Sequence, residues 1–208
     1  SPEYVRRISL AWKAGSGNLG RVVKAILLDP EARTLDRGDG IRGKVREPLI
    51  RMTHIMRAFA KSDESGPYGV FAPTLNTEFG QFVMSSPTVF NFYQSDYSPV
   101  GDLRSRGLVA PELQIATASS LLATHDRLRY TTNAGHWVRG IDYSEEIGML
   151  DDIDALIEHL NTILTYGTMS STTKAVVREQ LLNQFTNHNK IFTAVHLIVT
   201  SPEFTVLK

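Results

Sequence analysis

The chain has 208 residues, 42% hydrophobic and 21% charged, an ordinary composition for a globular domain or two small packed ones. Lys plus Arg and Asp plus Glu each number 22, so the basic excess of a nucleic-acid binder is missing, and a net charge near zero gives little protection against self-association. With no cysteine in the chain, disulfides, thiolate nucleophiles and cysteine metal sites are excluded together; no apolar run reaches transmembrane length.

In chain order, Ser1, Pro2 and Glu3 read as a helix start, with cap, first-turn proline and first-turn acid in sequence. Tyr4, Ile8, Ala11 and Trp12 follow at helical spacing. Gly15-Ser16-Gly17 breaks the run, and Asn18 caps a second helix whose apolar face is Leu19, Val22, Val23, Ile26 and Leu27. Asp29-Pro30-Glu31 ends it and starts a short turn. Residues 34–46 read as loop. Pro48 opens a helix with the stripe Leu49, Met52, Ile55, Met56 and Phe59, leaving Arg51 and Arg57 outside. Residues 62–73 are a second loop, and Thr77 caps a short helix through Gln81 to Met84.

Residues 85–115 have neither a helical nor a strand period, yet hold Phe90, Phe92, Tyr93 and Tyr97 within eight residues. Long irregular segments in compact domains are functional or disordered, and aromatics argue for order. The expectation is an ordered aromatic loop packed on a helical body. Pro111 then starts a longer helix, with Leu113, Ala116, Leu121, Leu122 and Leu128 as candidates for burial. Thr131 to Gly135 reads as a turn, with room for the tip of one minor β-hairpin. Three further helices follow: one from Asp151 through Leu164, one from Ser170 or Ser171 through Phe185, and one from near Asn187 to Ser201-Pro202. The fold class is therefore mainly all-α: an irregular multi-helix single domain over 1–208, with seven or eight helices.

Several strings here are family-specific: "KVREPLIRMTHIMRAF", the run "SSPTVFNFYQSDY" with "GLVAPELQI" behind it, "AILLDPEAR", and a closing helix that ends in Ser-Pro-Glu-Phe. Together they resemble the bacterial domain-of-unknown-function family numbered 1800 over most of the chain. Members are generally longer, so the resemblance, with a start at Ser1 rather than methionine, implies the carboxy-terminal part of a larger protein. It also implies an exported, extracytoplasmic setting. It carries no known catalytic residues.

The chemistry-bearing residues form few patterns. No two of the six histidines stand at the four-residue spacing of a helical zinc site, so neither metal nor cofactor is expected. Asp151-Asp152-Ile153-Asp154 is too clustered for a calcium loop and suits a helix start. Gly15 to Gly20 matches Gly-x-Gly-x-x-Gly but joins two helices, which fails the dinucleotide context. The recurring Asp/Ser-Pro-Glu at Asp29 and Ser201, and at Ser1, is either a duplicated module or simply a good helix start. What remains is a polar cluster of Arg46, Glu47, Asn91, Asp96, Tyr97, Arg104 and Glu112. It could bind a sugar or peptide, with Asp96 and Glu112 as an acid–base pair, or it could be a set of mutual ion pairs that locks the loop to the helices.

Two functions compete. One is a non-enzymatic helical interaction module whose partner is its own missing amino-terminal region or another exported protein, with no nucleic acid and no membrane span in this fragment. The other is a hydrolase or carbohydrate-binding module of the cell envelope acting through 91–112, with Tyr93, Tyr97 or Trp137 as sugar platforms.

Overall fold

The structure, a computed structural model, describes residues 1–34, 43–59, 78–133 and 141–207. The chain divides into two compact units, Ser1–Gly43 and Lys44–Leu207. The fold is mainly α-helical.

The first unit holds α1 (Pro2–Ala14), α2 (Leu19–Leu28) and α3 (Pro30–Arg33). Asn18 caps α2 by accepting from the Arg21 N–H. Between the helices, Gly17 has φ 80°, a left-handed backbone conformation that suits a residue without a side chain. Tyr4 donates its hydroxyl to the Ile26 carbonyl at 2.8 Å. Arg7 grips the Asp29 carboxylate through two nitrogens, at 2.6 and 2.7 Å. These polar ties hold the hairpin, for neither long helix buries a residue. The apolar face of α2 is formed as expected but stays largely in solvent, with Leu19 68%, Val23 51% and Leu27 63% exposed.

The second unit begins with β1 (Lys44–Val45) and α4 (Pro48–Ala58). After the irregular segment come α5 (Asp102–Ser105), a 3-10 turn at Pro111–Gln114, α6 (Ala118–Thr132) and α7 (Ser144–Gly148). The chain closes with α8 (Ile153–Thr165), α9 (Ser171–Asn183), α10 (Asn187–Thr200), α11 (Pro202–Thr205) and β2 (Val206–Leu207). β1 and β2 pair antiparallel, Lys44 opposite Leu207 and Val45 opposite Val206. The strand pair therefore joins the two ends of the unit and is not a local hairpin at Thr131. Thr131 and Thr132 are helical, and 134–140, including Trp137, lie outside the described residues.

The main core packs the stripes of α4, α6, α8, α9 and α10 around Phe204. A smaller cluster of Met52, Met56 and Phe79 sits on the other flank of α4. Side chains at the expected positions cap the helices: Asp152 accepts from Ala155 N–H, Ser170 from Thr173 N–H and Thr186 from Asn189 N–H. Asp152 thus serves as a helix start. All three Asp/Ser-Pro-Glu strings do the same, with Ser1, Asp29 and Ser201 each accepting a backbone N–H of the following turn. Capping accounts for the recurrence.

Four expectations need correction. Arg51 does not lie outside; it is buried, for the reason given below. The helix from Thr77 does not reach Met84: Gly80 takes φ 65° and the chain leaves the helix there. The helix at Pro111 is one 3-10 turn, and α6 starts afresh at the Thr117 cap. On α6, Leu121 and Leu122 face solvent while Ser120, Thr124, Leu128, Thr131 and Thr132 are buried. Short hydroxylated residues can be buried because they bond back to their own helix: Thr131 donates to the Arg127 carbonyl and Thr132 to the Leu128 carbonyl.

Phe204 is fully buried at the meeting of these helices. Phe204→Ala is expected to cost about 3–5 kcal/mol, measured as a lower urea midpoint at unchanged slope.

Candidate functional site

The polar residues of the second unit gather at the amino-terminal end of α4. Arg46 and Glu47 follow β1 in extended conformation, so their side chains leave on opposite sides. Arg46 turns into the core and is 4% exposed. Its Nη1 donates to His54 Nδ1 at 2.8 Å and lies 3.5 Å from the Leu164 carbonyl. The guanidinium stacks over Phe204 at 4.7 Å and Tyr166 at 5.3 Å. His54 Nε2 lies 2.8 Å from the Ile163 carbonyl, so Nε2 carries the hydrogen and Nδ1 accepts from Arg46. One turn earlier on α4, Arg51 Nη2 donates to the Val199 carbonyl at 3.1 Å.

These three carbonyls belong to the last turns of α8 and α10. The ends of helices present unpaired C=O groups and a partial negative charge. Arg46, His54 and Arg51 supply donors there, and neither arginine has an ion-pair partner among the described residues. Burial pushes the Arg51 guanidinium down to about 10, helped by the charge of Arg46. Burial also lowers the His54 imidazole below its ordinary 6.5.

Glu47 turns the other way. One carboxylate oxygen accepts the Tyr93 hydroxyl at 2.6 Å; the other accepts the side-chain amide of buried Gln81. Gln81 in turn accepts from the Leu49 N–H at 3.4 Å. Burial and the Glu47 carboxylate raise the Tyr93 phenol above its ordinary range. The irregular segment is thus pinned to α4 at Gln81 and Tyr93, and again where Gln94 N–H donates to the Gln114 side chain at 2.7 Å.

The seven residues singled out in sequence do not form one cleft. Glu112 lies 3.6 Å from Lys44. Asn91 is exposed at φ 84°, and Asp96 is exposed. The Tyr97 carbonyl accepts from Ala110 N–H. Arg104 is exposed and holds the Ser98 carbonyl. No ion pair joins Arg46, Glu47, Arg104 and Glu112 to one another. Sequence reading missed His54, Arg51 and Gln81. A signal existed for the first two: Glu47, Arg51 and His54 recur at i+4 and i+3, a polar face beside the apolar stripe.

Elsewhere, His196 on α10 has its ring 5.2 Å from His125 on α6 and stacks on Phe192. Burial, His125 and Arg129 lower its pKa. Among the described residues no group of three or more His, Cys, Asp or Glu is placed to hold a metal ion, and no described helix is long and apolar enough to cross a membrane.

Fold and cluster together define a mainly α-helical protein whose buried polar centre locks helix ends and a long loop. The chain belongs to the family described as Protein of unknown function (DUF1800), whose model matches residues 1–206. No curated protein and no solved structure matches it. Its molecular function is unknown.

Two outcomes follow from this geometry. His54 and His196 are held neutral, with folded pKa values below the unfolded 6.5. The unfolded chain therefore takes up protons first on acidification, and stability is lost as pH falls from above 6.5 through the folded values. The urea midpoint is expected to drop between pH 7 and pH 5, and His54→Asn with His196→Asn to flatten that slope. Separately, Tyr93→Phe removes a hydrogen bond to a carboxylate and is expected to cost about 1–2 kcal/mol, with faster protease cleavage within residues 85–110.

Proposed function

We propose that this chain is a helical interaction module of an exported bacterial protein, working by contact with another exported protein or with a further part of its own polypeptide. The observation that carries the reading is the solvent-facing apolar stripe of α2, where Leu19, Val23 and Leu27 stand one helical turn apart and more than half exposed. Contiguous exposed apolar surface of this kind marks an interaction site. The zero net charge of the chain leaves no long-range repulsion to keep a partner away. The exported setting rests on the family resemblance.

The other reading, a hydrolase or carbohydrate-binding module acting through 91–112, gains no specific observation. Asp96 stands in solvent, Glu112 is engaged by Lys44, and Glu47 is occupied by Tyr93 and Gln81.

Substituting Leu19, Val23 and Leu27 together by Gln tests the interaction surface. The wild-type chain is expected to bind an apolar dye and to self-associate with rising concentration in sedimentation. The triple variant should lose at least about half of the dye signal at unchanged helical circular dichroism, since exposed substitutions shift stability little. A wild-type chain that stays monodisperse and binds no dye would exclude this surface.

A further inference from the structure

From the way charge is divided along the chain we infer that the apolar stripe of α2 docks on a second copy of the same chain, against the acidic stretch that runs from α7 into the start of α8. The inference rests on the interaction-module reading and names the partner of that same surface. From Tyr4 to Leu28 there are five Lys or Arg and no Asp or Glu; from Ile141 to Thr173 there are seven Asp or Glu and no Lys or Arg. A chain whose charges cancel overall thus carries one cationic segment and one anionic segment. Pairing within each unit uses only part of that charge. Arg6 and Arg7 hold Glu3 and Asp29, while Asp154 and Glu158 hold Arg178 and Lys174, and Glu146 is buried against His159. Lys13, Arg21 and Lys24 are exposed and make no ion pair among the described residues. The same holds for Glu145, Asp151 and Asp152.

The apolar parts accompany the charges on both sides. Arg21 and Lys24 stand three residues apart, on one side of α2, and border a cleft with half-exposed Leu28. Lys24 also adjoins the stripe, between Val23 and Leu27 in sequence. In the acidic stretch, exposed Ile147 and half-buried Met149 and Leu150 lie between Glu145 and Asp151. Burying the apolar side chains supplies affinity, and the charges beside them set orientation and encounter rate. A second copy satisfies both segments at once. An anionic lipid surface would attract the first and repel the second. The two faces are different patches of the chain, so each can be altered without the other.

The test is sedimentation equilibrium of the whole chain over a range of concentrations, in about 0.1 M and about 1 M sodium chloride, between which the screening length shrinks from about 10 to about 3 Å. Wild type is expected to self-associate about 10-fold or more weakly in the higher salt, whereas a contact held by apolar burial alone would not weaken. Arg21→Glu/Lys24→Glu and Glu145→Lys/Asp151→Lys, each checked for folding by circular dichroism, should each lower the association constant about 10-fold or more. An equimolar mixture of the two variants should restore it, because every reversed face then meets its opposite; mixing does not repair misfolding. The inference is overturned if association ignores salt and both variants, or if the mixture associates no better than either variant alone. It is equally overturned if wild type is monomeric throughout, whether or not it floats with phosphatidylcholine–phosphatidylglycerol vesicles. Association or dye binding that survives both charge reversals and is lost in Leu19→Gln/Val23→Gln/Leu27→Gln would sink this inference alone. A chain that neither associates nor binds dye would sink the interaction-module reading as well.

Discussion

The second unit depends on cationic and imidazole donors from one short stretch meeting the carboxy-terminal ends of two core helices. Buried helix ends leave carbonyls that water can no longer satisfy, and each unpaired polar group is expensive. Arg46, His54 and Arg51 meet Leu164, Ile163 and Val199 at those ends. The arrangement also works in reverse, since the partial negative charge of the last turns offsets part of the cost of burying two guanidiniums without carboxylate partners. Phe204 and Tyr166 add ring faces against Arg46. Neither the helix ends nor the arginines would be tolerable in the interior without the other.

That interdependence explains how much of the fold was legible in sequence. Helix starts were readable because capping is local: Ser1, Asn18, Asp29, Ser170 and Ser201 accept backbone N–H groups two or three residues ahead, and no distant contact decides the matter. Apolar stripes on α4 and α8 were readable for the same reason of period. Arg51 was misplaced because its partner, the Val199 carbonyl, lies 148 residues away and a backbone group leaves no mark in sequence. α6 was misjudged because its buried face carries Ser120, Thr124, Thr131 and Thr132, of which Thr131 and Thr132 donate to carbonyls of their own helix and Ser120 to the Ile115 carbonyl just before it, while its leucines at 121 and 122 point out. Periodicity finds apolar faces; it does not find a polar face that has solved its hydrogen bonding locally.

The candidate site was legible in composition and not in geometry. The expectation that Arg46, Glu47, Arg104 and Glu112 would pair assumed that opposite charges seek each other. In the structure other partners win: carbonyl ends for Arg46, a phenol and an amide for Glu47, the Ser98 carbonyl for the exposed Arg104 and Lys44 for Glu112. A charged group inside a protein needs hydrogen-bond partners in the right directions before it needs a counter-charge. The aromatic segment divides likewise. Phe92, Tyr93 and Tyr97 are partly buried, whereas Phe90 stands out in solvent, so ring content alone did not separate packing from display.

Consecutive residues connect these two themes. Arg46 and Glu47 leave an extended backbone on opposite sides, one locked onto the core helices and the other onto the irregular segment. Tyr93 is only two residues from Asn91, which pairs with Thr88 across the exposed turn at Val89 and Phe90. The position of that turn relative to the helical core is therefore set through a single peptide, reinforced by β1 pairing with β2 and by the Arg46 N–H on the Thr205 carbonyl. A displacement of the α8 end would move Arg46, and with it Glu47 and the segment it holds. Such a chain of contacts makes the second unit's core the support for a surface feature, which is the role that rigid scaffolds play for the loops they carry.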